Sequence, residues 1–252
     1  MRRAPARVIP CLLLTEGGLY KTVEFDKPRY VGDPINAVRV FNEKECDELI
    51  LLDIEASKSG RSFDADVVAE IVSEAFMPVC VGGGVRSIED FDRAFAVGVE
   101  KVSITTAAVE DPALIGLAAD RYGSQSVVVG IDVVRHRRKT EVRTHSGTKK
   151  TALDPVQWAQ EAERRGAGEI LVNSIDRDGT QKGYDLDLVR EISSRVNVPV
   201  IACGGAGSIA DLSAGLASGA NGVAAGSLFV FNGPRRAVLI SYLSESERVA
   251  LR

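Results

Sequence analysis

The sequence is short of the side chains that most often carry catalysis or bind metals, with two histidines and four cysteines among 252 residues. Cys11, Cys46, Cys80 and Cys203 sit in separate apolar stretches without CxxC spacing, which argues against a zinc ribbon or redox pair and predicts buried, reduced thiols. No HExxH or similar compact ligand pattern occurs, so neither a metal nor a cofactor is expected. Long apolar runs are missing too: none approaches the roughly 18 residues of a membrane span. The basic opening MRRAPAR leads into a short strand-like run without a signal-peptide cleavage pattern, so the expected location is cytoplasmic, with no membrane partner. There is no excess of positive charge, with 35 acidic against 31 basic side chains, which argues against a nucleic-acid partner. What the chain does have is apolar material, 45% of its residues, enough for a sizeable core and too much for a disordered or fibrous protein.

Short β-rich runs recur at Arg7 to Leu14, Glu48 to Ile54, Pro78 to Val81, Lys101 to Thr105, Ser126 to Asp132, Glu169 to Ser174, Pro199 to Cys203 and Gly222 to Gly226. Between them, segments such as Ile35 to Lys44, Ala65 to Phe76, Ile88 to Val97, Pro112 to Tyr122, Pro155 to Arg165 and Leu186 to Val196 carry helical periodicity. Eight strands alternating with helices predict an α/β fold, a closed parallel (βα)8 TIM barrel, because each parallel strand needs a crossover to return the chain. An internal repeat strengthens this reading. A shift of 121 residues lays Met77 to Thr106 over Val198 to Ser227 with ten of thirty positions identical, and places Glu48 on Glu169. Chance would supply about two identities, so residues 1–252 are read as one domain of two duplicated (βα)4 half-barrels, about 1–123 and 124–252.

In each half a strand ends in glycines, Gly82, Gly83 and Gly84 or Gly204, Gly205 and Gly207. The next strand ends in Thr105 and Thr106, or in Gly226 and Ser227. Backbone N–H groups freed of side chains at the C-terminal rim of a barrel can approach an anion, so two phosphate sites are expected, for an elongated anionic small molecule. At the opposite ends of the strands stand Arg7, Glu48, Lys101 and Glu169, two cations and two anions able to neutralise one another. General acid–base chemistry needs a carboxylate at the upper rim: Asp132, ending VVVGID, is the preferred candidate, with Asp53, Asp176 and Asp178 behind it. His136 and His145 fall in a polar, hairpin-like stretch and are read as solvated. The run Arg135, His136, Arg137, Arg138, Lys139 is read chiefly as a solvated loop that could also draw in an anion.

The segments VGGGVRSIEDF, KVSITTAAVEDP, YGSQSVVVGID, ERRGAGEILVNSIDRDGT, KGYD and ACGGAG, in this order, resemble the cyclase subunit of imidazole glycerol phosphate synthase, HisF, from about Arg7 to about Phe231. The resemblance implies a barrel bound at its N-terminal face to a HisH-like glutaminase subunit as a heterodimer, with ammonia passing up the lumen to a substrate held between two phosphate sites. By position it implies Gly84 and Thr106 in one phosphate site and Gly205, Gly226 and Ser227 in the other, with Asp53, Thr105, Asn173, Asp178 and Gly179 nearby in the substrate site. Arg7, Glu48, Lys101 and Glu169 correspond to the family's ammonia gate, Glu100 and Gln125 to its glutaminase contacts, Lys21 to its mobile-loop lysine and Asp132 to one of two catalytic aspartates.

The other aspartate is absent: where the family reads CLD, this chain reads Cys11, Leu12, Leu13, and leucine can neither move a proton nor accept a hydrogen bond. Thr105 replaces an asparagine, Asn173 replaces a threonine, and the early loop LTEGGLYKTVEF is unusual. The gate is intact while the substrate side has changed. That pattern resembles HisF-like paralogues of surface-polysaccharide pathways, which work with a glutaminase and a separate sugar amidotransferase. The alternatives are an authentic cyclase, in which a shifted register or Glu16 supplies the second carboxylate, and a noncatalytic, glutaminase-activating scaffold. The related histidine-pathway isomerase ranks last, since it too needs an aspartate at the end of the first strand.

Overall fold

The computed structural model describes residues 7–137 and 139–251. The MRRAPA opening, Arg138 of the basic run and Arg252 lie outside them. Eight runs of β-branched and aliphatic residues form parallel strands, β1 (Arg7–Thr15), β4 (Leu49–Asp53), β5 (Val79–Gly82), β6 (Lys101–Ile104), β7 (Val127–His136), β10 (Glu169–Ser174), β11 (Val200–Cys203) and β12 (Gly222–Ala225). They pair in that order, and β12 returns to β1, so the barrel is closed. This is the (βα)8 fold expected from the alternation.

The crossovers run through α1 (Pro34–Glu43), α2 (Ala65–Glu74), α3 (Ile88–Ala96), α4 (Thr106–Glu110) with α5 (Ala113–Tyr122), α6 (Pro155–Arg164), α7 (Leu186–Ser193) and α8 (Ile209–Ala217). Short α9 (Ser227–Val230) and α10 (Glu245–Ala250) follow β12. Side-chain caps start α1, α2, α6 and α7: Asp33, Asp64, Asp154 and Asp185 each accept from a backbone N–H one turn in. Ser87 and Ser208, which are 121 residues apart, cap α3 and α8 with nearly the same backbone angles, φ −147° and −151°. Two helices stop short of their sequence pattern. Ala75 turns extended after α2, ahead of Met77-Pro78, and α7 ends at Ser193.

Outside the barrel lie further strands, of which the sequence pointed to a hairpin only in the stretch around His136 and His145. β2 (Gly18–Val23) and β3 (Asp26–Gly32) form an antiparallel hairpin on the upper end of β1. β7 runs on past Asp132 to His136 and pairs with β8 (Lys139–Thr144), which pairs with β9 (Lys149–Lys150). Beyond α9, β13 (Phe231–Asn232) and β14 (Ala237–Val238) make a small hairpin.

Because side chains alternate along a strand, two apolar layers result. One packs the barrel against its helices around Phe41, Phe91, Ile115 and Phe229. The other fills the lumen with Ile9, Ile50, Val128, Leu171, Ile201 and Ala224. All four cysteines are buried and none forms a disulfide. No helix among the described residues is long and apolar enough to cross a membrane.

Candidate functional site

Each barrel strand carries its last inward side chain to the upper rim. Leu13 on β1, Asp132 on β7 and Asn173 on β10 arrive there in this way, and the glycine turns after β5, β11 and β12 complete the rim. The cleft they surround measures about 1370 Å³ to its open mouth. Asp132, Lys21 and every position that the resemblance places in the phosphate and substrate sites border it.

Asp132 is half-buried in the cleft wall. Burial pushes its carboxyl up to about 7; a hydrogen bond from Asn173 opposes the rise, and the charge of Asp178 adds to it. A carboxyl poised there can give or take a proton near neutrality. The same shift predicts a pH-dependent stability. Unfolded, Asp132 ionises near pH 4, whereas the folded chain holds its proton to about pH 7, so this residue destabilises the fold progressively as pH rises between those values. Asp132→Asn is therefore expected to match the native chain at pH 4 and to exceed it by on the order of 3 kcal/mol at pH 8. Thermal or urea unfolding across that range checks this, and a difference independent of pH would contradict the raised pKa.

Leu13 is the first rim residue on β1, and β1 and β7 are the first and fifth strands of the eight, facing each other across the barrel. It is 8% exposed, lies opposite Leu52 in register, and shares an apolar cluster with Leu52 and Ile54. β1 thus presents leucine at this rim, and it holds no carboxylate that another register could bring there. Glu16 lies in the β1–β2 turn and borders a separate side cavity, not the main cleft, so the substitute carboxylate considered for an authentic cyclase is not supplied by either route.

The two glycine rims differ in what already occupies them. Gly83 and Gly84 take left-handed angles, φ 112° and 69°, and a Cβ on Gly84 would collide with the Arg61 carbonyl. The Gly84 N–H donates to Ser57 Oγ at 3.2 Å, and Thr106 Oγ1 accepts from the His145 N–H at 2.9 Å. Asp53 borders the cleft with both oxygens engaged, by Arg61 at 2.6 and 3.1 Å and by the N–H groups of Glu55 and Ala56. It holds the loop that supplies Ser57. On the other side Gly204 and Gly205 are left-handed, and the Gly205 carbonyl accepts from the Gly183 N–H at 2.8 Å. Any side chain at Gly205 would strike the Gly183 carbonyl, so a substitution there disturbs the backbone as well as the site.

The β2–β3 hairpin closes over this second rim. Thr22 Oγ1 donates to Asp178 Oδ2 at 3.0 Å and the Glu24 N–H to the Asp178 carbonyl at 2.9 Å, making Asp178 a strut for the hairpin. Lys21, 4% exposed, is carried inside, with Nζ against Gly226. The Asn173 Oδ1 is buried and has no hydrogen-bond partner among the described residues, leaving an acceptor open toward a donor on a ligand.

Other candidates stand apart. Asp176 is exposed and accepts from the Arg135 N–H at 2.6 Å; it does not border the cleft. Arg135 forms a two-pronged pair with Asp185 at 2.7 and 2.9 Å. Within the basic run, Arg135, His136, Arg137 and Lys139 are all exposed, and none borders the cleft. His136 contacts Arg143, and half-buried His145 meets Thr106 only through its backbone.

At the lower end of the lumen four charges close into a ring. Arg7 reaches Glu48 at 2.6 Å and Glu169 at 2.9 Å, and Lys101 reaches the same carboxylates at 2.9 and 3.1 Å. Burial works against the Arg7 charge, but the two carboxylates outweigh it and hold the guanidinium above its usual value. Glu100 and Gln125 lie on the lower face around this ring, both exposed, each immediately before a barrel strand region. Phe76, 87% exposed and just ahead of β5, stands on that face too.

Residues 7–234 match the family described as histidine biosynthesis protein. The chain is a HisF-like member of that family. The HisF-like chain is 56% identical over 242 residues to a Pseudomonas aeruginosa protein provisionally named imidazole glycerol phosphate synthase subunit hisF2, covering 94% of this chain and 95% of the relative. It is 47% identical to a Vibrio vulnificus protein provisionally named subunit hisF3, with 98% and 96% covered. To imidazole glycerol phosphate synthase subunit HisF of Dehalococcoides mccartyi it is 48% identical over 224 residues, 88% of each chain. Two features of this HisF-like site escaped sequence reading. Ser57 and Arg61 occupy the first rim from a loop with no motif of its own, and Arg236 reaches the second rim from beyond the repeat.

Proposed function

We propose that this HisF-like barrel is the ammonia-conveying synthase subunit of a glutamine amidotransferase complex, built as one domain from half-barrels of about 1–123 and 124–252. A HisH-like glutaminase docks on the lower face near Glu100 and Gln125, the ring of Arg7, Glu48, Lys101 and Glu169 gates the lumen, and ammonia meets an anionic acceptor held between the two glycine rims. One observation carries this reading. The charged ring and the apolar lumen above it are complete, while the rim opposite Asp132 holds Leu13 in place of a proton-transfer group. The acceptor on this reading is a sugar of a surface polysaccharide, amidated with the help of a separate sugar amidotransferase, and Asp132 serves as the single acid–base group.

The second reading, the authentic cyclase that joins ammonia to a bisphosphate ribonucleotide, is favoured by the Asp132 carboxyl, poised at about 7. One assay separates them: the purified chain with that ribonucleotide and excess ammonium salt at alkaline pH, followed by substrate absorbance. The expected result is no turnover at the rate of a pathway enzyme, together with tight binding of a glutaminase. Rapid turnover would return the chain to histidine biosynthesis.

A further inference from the structure

The cations around the cleft are distributed unequally. At the first rim Arg61 pairs with Asp53 and Lys58 with Glu55, and Lys149 pairs with Glu110, while exposed Arg86, beyond Gly84, makes no ion pair among the described residues. At the second rim, Lys21, Arg29 and Arg236 have no carboxylate within ion-pairing distance among the described residues. Arg29 and Arg236 both lie by the Phe231 ring, at 5.2 and 4.6 Å from its centre, and Arg29 Nη1 donates to the Arg236 carbonyl at 3.2 Å. Arg236 Nη2 donates to the Gly179 carbonyl at 3.0 Å and stands 3.5 Å from Ser227 Oγ. Its Nε is buried and has no acceptor among the described residues. A guanidinium is planar and carries five donors, so one set over an aromatic ring with a buried N–H unmatched is short of an acceptor. Lys21, buried on the same side, is likewise short of an anion.

We propose that Arg236 is an anion-binding, specificity-determining residue that completes the rim of Gly205, Gly226 and Ser227 as a clamp for a phosphate group of the ligand held there. The inference rests on reading that rim as a phosphate site. The β13–β14 hairpin, which brings Arg236 from outside the barrel, then acts as part of the substrate site. A phosphate here takes charge-assisted hydrogen bonds from the guanidinium on one side and the Lys21 ammonium on the other.

The probe is inorganic phosphate, titrated into the full chain by calorimetry and by the rise in melting temperature, for native protein, Ser227→Asp, Arg236→Met and Arg236→Lys. Ser227→Asp sets a carboxylate in the rim and is expected to abolish binding. Arg236→Met is expected to weaken binding roughly tenfold to a hundredfold, and Arg236→Lys to fall between it and the native chain, since lysine keeps the charge but loses the planar fork. A merely structural Arg236 would lower the melting temperature without phosphate and leave the affinity alone. If native protein binds phosphate, Ser227→Asp abolishes it and Arg236→Met binds as well as native, the clamp is overturned and the phosphate site stands. If native protein binds none, or Ser227→Asp binds normally, both fall.

Discussion

Leu13→Asp is expected to raise turnover of the bisphosphate ribonucleotide with ammonium salt by about 10² to 10⁴-fold, the usual contribution of a positioned acid or base. The argument is geometric. Leu13 points into the cleft from the strand that faces β7, so a carboxyl there lies across the lumen from Asp132, and the two rims beside it are otherwise in place. Its surroundings, Leu52 and Ile54, are apolar, so the new carboxyl is raised in its turn, and the variant loses on the order of 2 kcal/mol of stability at neutral pH. Steady-state kinetics beside a melting curve check both effects. A native chain already fast, with no gain from Leu13→Asp, would mean that another group does the work of the missing aspartate.

Lys101→Met should break the link between glutamine hydrolysis and product in the assembled complex. Lys101 contacts both Glu48 and Glu169, and its loss leaves two buried carboxylates sharing Arg7 alone. Removing one member of such a buried set costs about 3–5 kcal/mol, and the ring must relax or admit water. On the proposed function, glutamate released per product is expected to be near one in the native complex and to climb severalfold in the variant, while activity with external ammonium salt, which enters from the open cleft, stays within about twofold. These limits follow from a lesion confined to the lower end of the lumen. An unchanged ratio would overturn the gate.

Much of this architecture was legible because it depends on chemistry that repeats along the chain. Strand and helix periods are local, and the glycine turns recur 121 residues apart, with their left-handed angles at both places. The four ring charges were visible because each stands at the foot of a strand. Less legible was everything decided by distant partners. The segment around Lys21 reads as loop from its glycines and charges, yet it folds as a hairpin because Thr22 and Glu24 find Asp178, over 150 residues away. Asp53 and Asp176 look like free carboxylates in sequence, and Arg61 and the Arg135 N–H engage them in the folded chain. Arg236 follows a Gly-Pro turn past the last repeated element, where no pattern predicts that the chain doubles back to Ser227.

The apolar layer in the lumen has a consequence of its own. Between the charged ring and the rim, Ile9, Ile50, Val128, Leu171 and Ile201 form a sleeve with little to solvate an ion. An ammonium ion entering that sleeve gives up its hydration for hydrocarbon, at a cost of several kcal/mol, whereas neutral ammonia does not. On the proposed function this layer selects by dielectric. A nitrogen carried through it on that reading leaves its proton below the ring, and Asp132 is then free to manage the protons of the acceptor.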